Sequence, residues 1–235
     1  MNNLIDTLSL RSLHDSVEMK PTVVVLGSVT LVALHRYFGK VAFAKATFPS
    51  FSSRAAAEYE IASAFILFGL IPLAIVIFLF RESGRDYGLR LGDWKFGLIA
   101  IAILFPIIAG SLFLDSKSPA MQASYPIDKG ATQSVQAFLL LEVPCLLFLM
   151  AWEFIFRGFM LFGLRARVGD WLAICIQTIP SSLWHIGLPA KVTLAAIPGG
   201  LLFGILAIRT RSIIWPILLH YLIWVGLDLF VALNQ

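Results

Sequence analysis

The sequence predicts an all-α protein, a polytopic membrane helical bundle of about seven transmembrane helices. Hydrophobic residues make up 59% of the 235 residues and charged residues only 14%, whereas soluble domains carry about 25% charged residues. The mean hydropathy is +0.86. The apolar residues form continuous runs long enough to cross a bilayer, which favours helices over the alternating strands of a membrane β-barrel.

Seven apolar runs follow one another along the chain, and each is predicted to be one helix. They cover residues 21–38, 61–80, 96–114, 134–164, 171–188, 192–208 and 213–232. Before them, residues 1–20 are a polar tail without the apolar stretch of a signal peptide, so residues 21–235 form a single transmembrane domain. The net charge of +4 does not suggest nucleic-acid binding. The placement of the basic residues favours a cytoplasmic N-terminus and an outside C-terminus.

The runs differ in length and in how continuously apolar they are. The first is the weakest because His35 and Arg36 interrupt it near its end, the second is uninterrupted, and the third contains a predicted kink at Pro106. The fourth would be about 45 Å long as one helix, which exceeds a hydrocarbon core of about 30 Å. It should therefore tilt, kink near Pro144 or leave the bilayer along the interface. Turns with proline or basic residues separate the last three runs.

A few ionisable residues interrupt the later runs and are the candidates for function. Glu153 with Arg157, then His185, then His220 lie among Leu, Ile, Phe, Val and Ala. A charge in hydrocarbon costs several kcal/mol, so such residues usually face a bundle interior or a wet cavity. One acid and two imidazoles on three separate helices are sufficient for hydrolytic chemistry.

Glu153 and Arg157 are four residues apart, so they share one helix face and can pair. In one interpretation Arg157 only neutralises Glu153 and the pair pins two helices together. In the other, Arg157 fixes a carboxylate that polarises water. Glu142 lies about three turns before Glu153, which is too far for a carboxylate dyad but close enough to line the same cavity.

The two histidines have polar neighbours on their own helices. Ser181 and Ser182 precede His185 by one turn and could share its face. Asp228 follows His220 by eight residues, loosely on the same side. A lone intramembrane histidine is often a satisfied interhelical hydrogen bond, but two of them together with Glu153 favour a site.

The order of these motifs resembles the CPBP family, the CAAX-protease and bacteriocin-processing membrane proteins related to the type II prenyl-protein endopeptidase. The family pattern is Glu-Glu-x-x-x-Arg, then Phe-x-x-x-His, then His-x-x-x-Asn/Asp on successive membrane helices. Here the matching segments are Trp152–Gly158, His185 and His220, and the resemblance covers about residues 120–232, the protease-like core. It implies a multi-pass protein, in a bacterial cytoplasmic membrane.

Several positions depart from the family pattern. Trp152 replaces the first glutamate, the water-activating base of the family, and Ser181 replaces the phenylalanine before the first histidine. Trp224 replaces the Asn/Asp that stabilises the oxyanion, although Asp228 follows one turn later. Indole is only a hydrogen-bond donor and cannot act as a base. Either Glu153 has taken over as the base, or the chain has kept the fold and lost the chemistry.

If the chain is active, the resemblance implies a glutamate-type intramembrane endopeptidase. Glu153 would activate water, His185 would orient it or share its proton, and His220 would stabilise the oxyanion, with Arg157, Asp228 and Glu142 in support. The implied partners are membrane lipids and a membrane-anchored or prenylated peptide or protein. We expect no cofactor and no metal, although one carboxylate and two imidazoles could hold zinc.

Other chemistries fit less well. Cys145 and Cys175 are interpreted as small buried hydrophobes, and Cys175 points about 80° away from His185 on the same helix. No Gly-x-Ser-x-Gly occurs. Two further classes stay open: a non-catalytic membrane scaffold or immunity-type peptide binder, which Trp152 and Trp224 favour, and a proton-coupled transporter, against which the lack of paired broken helices argues.

Overall fold

The structure is a computed structural model and describes residues 18–234. Residues 1–17 of the predicted polar tail, and Gln235, lie outside the described residues. The part of the chain that is described forms nine helices and no β-strand, which confirms the all-α bundle. The helices are α1 (Met19–Phe38), α2 (Val41–Thr47), α3 (Ser53–Leu79), α4 (Trp94–Asp115), α5 (Pro119–Ser124), α6 (Val135–Val168), α7 (Asp170–Trp184), α8 (Ala190–Thr210) and α9 (Ile214–Leu233).

Between residues 18 and 234, six helices are long and apolar enough to cross a membrane: α1, α3, α4, α6, α8 and α9. The chain is therefore an integral membrane protein. The predicted count of seven spans is not confirmed, because α7 has only 15 residues and a membrane span needs about 20. The apolar run that suggested a longer helix continues through Ile186 and Leu188, which belong to the turn after α7.

Polar residues fix where several of these helices begin. The side chains of Ser52, Asp93, Ser118 and Ser134 each accept a hydrogen bond from a backbone N–H in the first turn of the helix that follows. These caps satisfy donors that have no partner inside the helix. They fix the first residues of α3, α4, α5 and α6, which the apolar runs alone do not define.

Helix α6 is the centre of the bundle. In its most apolar window 56% of the residues are buried, compared with 6% in α4. It contacts α1, α3, α7 and α9. Pro144 lies inside it without ending it, and the helix widens into π-helical turns over Phe154–Phe162 before returning to α geometry. Such π-helical insertions in α-helices often mark functional sites.

Helices α7 and α8 pack closely because small residues face each other. A Cβ on Gly200 would lie 2.6 Å from Cγ2 of Thr178, so only glycine permits this approach. The buried Gln177 side chain then donates from Nε2 to the Gly200 carbonyl at 2.9 Å. This polar link between two membrane helices fixes the position of α7, whose last residues lead into His185.

A separate polar cluster ties the start of α1 to the turn after α3. Lys20 Nζ donates to both carboxylate oxygens of Glu82 at 2.7 Å, and the Tyr87 hydroxyl also donates to Glu82. Burial raises the pKa of the Glu82 carboxyl, but the bonds from Lys20 and Tyr87 outweigh burial, so its pKa falls below the ordinary value. The pair is about one-third exposed, so water screens it.

Candidate active site

Glu153 lies where α6 changes from α to π geometry, and Arg157 lies in the π-helical turns. Arg157 Nη1 donates to Glu153 Oε1 at 3.2 Å, so the pair expected from their spacing is present. Both residues are almost fully buried, at 0% and 1% exposure. Glu153 Oε2 and Arg157 Nε have no hydrogen-bond partner among residues 18–234. The carboxylate therefore keeps one oxygen available as an acceptor.

His220 of α9 completes a three-residue contact with this pair. Its Nδ1 lies 2.7 Å from Oε1 of Glu153. An ionised carboxylate only accepts hydrogen bonds, so with Glu153 ionised Nδ1 is the donor, and in the neutral tautomer of the ring Nε2 then holds the lone pair. The His220 side chain is 18% exposed, whereas that of Glu153 is 0% exposed. His220 is thus the more accessible end of the Glu153–His220 pair.

His185 caps the end of α7 and packs against Trp152. Its Nδ1 contacts the Ser181 carbonyl at 2.8 Å. A carbonyl only accepts, so here too Nε2 holds the lone pair. The rings of Trp152 and His185 are 5.4 Å apart. Within the described residues His185 makes no hydrogen bond to Glu153 or His220, although it is near enough to His220 to be affected by its charge.

Trp152 and five other aromatic side chains pack together, and we call these six the aromatic cluster. They are Phe68, Phe148, Trp152, Phe156, Trp184 and Trp224. Trp152 is only 2% exposed, and its ring centroid is 4.7 Å from that of Phe156 and 4.8 Å from that of Trp184. The position of the family's first glutamate is thus occupied by packed indole, and the His185 ring contacts it.

Glu142 and Asp228 form a second acidic group apart from Glu153. They are 2% and 0% exposed, and their carboxyl groups lie near each other between α6 and α9. None of their four oxygens accepts a regular hydrogen bond from another group in residues 18–234. Asp228 therefore lies near Glu142, and the structure places both supporting acids outside the Glu153–His220 contact.

The loop between α5 and α6 lies next to this acidic pair. Burial raises the pKa of the Tyr125 hydroxyl, and the negative charge of Asp228 adds to this effect. Burial lowers the pKa of the Lys129 ammonium, which Asp228 opposes. Lys129 Nζ donates to the carbonyls of Gln122 and Tyr125 at 2.8 and 2.7 Å, so its hydrogen bonds hold the loop together and do not reach the acids.

The sequence analysis missed three buried polar residues near the site: His35, Glu60 and Gln177. Their exposures are all 2% or less. His35 was interpreted as a sign that the first run was ending, and Glu60 fell just before the second run. The signal available was a polar residue at the edge of an apolar run, which in a bundle often faces another helix.

Zinc binding does not fit this arrangement. In the described part of the chain, no three side chains of His, Cys, Asp and Glu gather in a metal-binding arrangement, and a protein zinc site needs at least three such ligands. Glu153 instead uses one oxygen for Arg157 and His220. The expectation of no metal and no cofactor stays a prediction.

Comparison with known families adds to this geometry. Residues 134–225 match the model of the Rce1-like family, described as type II CAAX prenyl endopeptidase Rce1-like. This match supports the resemblance of the segment to the CAAX proteases. It covers α6, α7, α8 and most of α9, and so contains Glu153, Arg157, His185 and His220. No curated protein and no solved structure matches the chain.

The family match begins after α1–α5 and ends before Asp228. It is narrower than the core of about 120–232 expected from the motifs. The match supports the superfamily of CAAX-protease-like membrane endopeptidases. The departures at Trp152 and Trp224 fall inside the matched segment, so they bear directly on the chemistry.

Proposed function

We propose that this protein is an intramembrane endopeptidase that hydrolyses a peptide bond in a membrane-associated or lipid-anchored protein or peptide, in a bacterial cytoplasmic membrane. The observation that carries the proposal is the 2.7 Å contact between Glu153 Oε1 and His220 Nδ1. It joins two helices of the Rce1-like segment through two residues whose burial is otherwise costly. A carboxylate that holds an imidazole by Nδ1 is a recurrent arrangement in hydrolases.

In this proposal His220, not Glu153, takes the proton from water. His220 Nε2 holds the lone pair and is the partly exposed end of the pair. It accepts one proton as the water oxygen attacks the carbonyl carbon, and it returns that proton to the leaving amine. Glu153 holds the ring by Nδ1 and stabilises the imidazolium that forms, while Arg157 stabilises the ionised carboxylate. This moves the role of the base, which the family resemblance assigned to Glu153, to His220.

Two further groups have roles that follow from their hydrogen bonds. His185 Nε2 is an acceptor, since Nδ1 is used by Ser181, so it can orient the attacking water by accepting its second hydrogen. Trp224 stands where the family has its oxyanion-stabilising residue, but its buried indole N–H faces the Asp228 carboxyl one turn later. We therefore assign this N–H to Asp228 and not to the oxyanion.

The test is cleavage of a peptide library, including prenylated C-terminal peptides, by the purified protein in detergent. Wild type is compared with Glu153→Gln, His220→Gln and the matched control Glu142→Gln, which changes a buried glutamate of the same helix outside the contact. Losing the general base lowers rates by about 10²–10⁴-fold. We expect that loss for His220→Gln, a comparable one for Glu153→Gln, and wild-type rates for the control. Full activity of a folded His220→Gln protein would refute the assignment.

A second candidate function is a non-catalytic, peptide-binding member of the family. The observation that favours it is Trp152, which is 2% exposed and packed in the aromatic cluster at the position of the missing glutamate. In this case wild type binds library peptides but cleaves none. Trp152→Phe separates the two functions, since it keeps an aromatic ring and should leave cleavage near wild type if His220 is the base.

A further inference from the structure

The last turn of α1 contacts the segment that carries His185. Arg36 Nη2 donates to the carbonyl of Ile186 at 2.8 Å. One residue earlier, His35 Nδ1 accepts from the indole Nε1 of Trp184 at 3.3 Å. The two neighbours of His185 in the sequence are therefore each bonded to α1, a helix that lies outside the matched residues 134–225.

The end of α1 is itself held by a buried acid. Lys40 pairs with Glu60 of α3, and the Val41 backbone N–H donates to the other Glu60 oxygen at 2.8 Å. The Lys40 ammonium also lies 4.3 Å from the centre of a Trp184 ring, in cation–π geometry. The contacts to Trp184 and Ile186 thus come from a fixed point in the bundle.

The turn after α7 has a backbone shape that permits this contact. Gly187 has a φ of +100°, which side chains rarely adopt, and a Cβ there would lie 2.9 Å from Arg36 Nη2. On the opposite side, Thr193 of α8 donates to the His185 carbonyl at 2.8 Å. His185 is therefore held through its own helix by Ser181, through α8 by Thr193, and through α1 by Arg36.

We propose that Arg36 is a positioning residue for His185, and that the end of α1, which lies outside the Rce1-like segment, sets the orientation of the His185 imidazole. The proposal rests on the proposed function for its catalytic consequence. Arg36 touches no reacting atom and acts only through the turn. A merely structural Arg36 would affect stability and leave the chemistry of His185 unchanged.

The experiment measures the reactivity of His185 directly. Full-length protein in detergent is treated with diethyl pyrocarbonate, and the modification rate of each histidine is read by peptide mass spectrometry. The variants are Arg36→Gln, the conservative Arg36→Lys, and the control Arg85→Gln, an exposed arginine in the turn after α3. His220 serves as the internal reference in every sample.

We expect the modification rate of His185 to be at least about threefold higher in Arg36→Gln than in wild type. The modification rate of His220 should stay within about twofold of wild type. Arg36→Lys should lie between, because an ammonium can still donate to the Ile186 carbonyl, and Arg85→Gln should match wild type. With a cleaved peptide, Arg36→Gln should lower kcat about tenfold with KM within about twofold.

An unchanged His185 rate in folded Arg36→Gln would overturn the proposal, as would a changed rate with an unchanged kcat. If wild type cleaves no peptide, the proposed function fails. The labelling rates then decide alone whether Arg36 positions the ring, since they need no substrate.

Discussion

The Glu153–Arg157 pair offers a quantitative test of how the site is built. We consider Glu153→Gln and Arg157→Met, singly and together. At the observed Nη1–Oε1 distance of 3.2 Å, two unit charges attract each other by about 5 kcal/mol at an effective dielectric constant of about 20. Either single change leaves a charge buried without its counter-ion, which destabilises proteins by about 3–5 kcal/mol.

The double variant should recover most of that loss. With both charges removed, no unpaired ion remains, and the methionine keeps contact with the Phe203 ring that Arg157 now covers at 5.3 Å. We expect an unfolding free energy within about 2 kcal/mol of wild type, and therefore a coupling energy of at least about 4 kcal/mol between the two sites. Reversible unfolding by SDS in mixed micelles, followed by tryptophan fluorescence, measures all four proteins.

The matched control is the Lys20–Glu82 pair, whose side chains are 36% and 35% exposed. Its double-mutant cycle, with Lys20→Met and Glu82→Gln, should give a coupling energy below about 1 kcal/mol because water screens the charges. A Glu153–Arg157 coupling no larger than this would show that the buried pair is not the charged contact we describe, and would remove the reason for Arg157 to stabilise an ionised Glu153.

Three further predictions concern packing and protonation. Gly200→Ala should destabilise the protein by about 1–3 kcal/mol, because the new Cβ would lie 2.6 Å from Thr178 of α7. Gly199→Ala is the control in the same SDS assay, since a Cβ there meets nothing within 4 Å. Asp228→Asn should raise the SDS concentration at the midpoint of unfolding, because the asparagine amide can donate a hydrogen bond to Glu142. A lower midpoint would contradict this. The pKa of Glu82 is lowered in the folded protein, so its ionised carboxylate stabilises the fold above the unfolded-state pKa. This stabilisation is lost as the pH falls through the folded-state pKa. In Glu82→Gln, the unfolding free energy should therefore fall less steeply with decreasing pH than in wild type.

Much of the fold could be predicted from the sequence, because membrane helices are specified by apolar runs. The first run was expected at 21–38 and the helix spans Met19–Phe38, and the third was expected at 96–114 and spans Trp94–Asp115. The exceptions are instructive. The short helices α2 and α5 were not predicted, because neither is an apolar run, and α7 was extended too far because its following turn is apolar.

The candidate site was only partly predictable, and for a different reason. Spacing on one helix is local information, so the Glu153–Arg157 pair followed from the sequence. Which side chain of α9 meets α6 depends on how the two helices pack, and this is not contained in either motif. The sequence predicts Glu153, His185 and His220 as one group. The structure joins His220 to Glu153 and packs His185 against Trp152, without a hydrogen bond from His185 to either of the other two among the described residues.

The shortness of α7 determines how deep in the bilayer the chemistry would occur. Arg165 and Asp170 pair at the junction of α6 and α7 and are about one-third to one-half exposed, which suits the headgroup level. From there, the 15 residues of α7 descend about 22 Å to His185, and the 12 residues back along α6 descend about 18 Å to Glu153. Both paths end some 10 Å short of the far surface of a hydrocarbon core of about 30 Å. The non-helical backbone of residues 185–189 then lies at hydrocarbon depth, where Arg36 and Thr193, and not lipid, satisfy the carbonyls of Ile186 and His185. A substrate cut at this depth would be cut nearer to the far leaflet than to the surface where Arg165 and Asp170 pair.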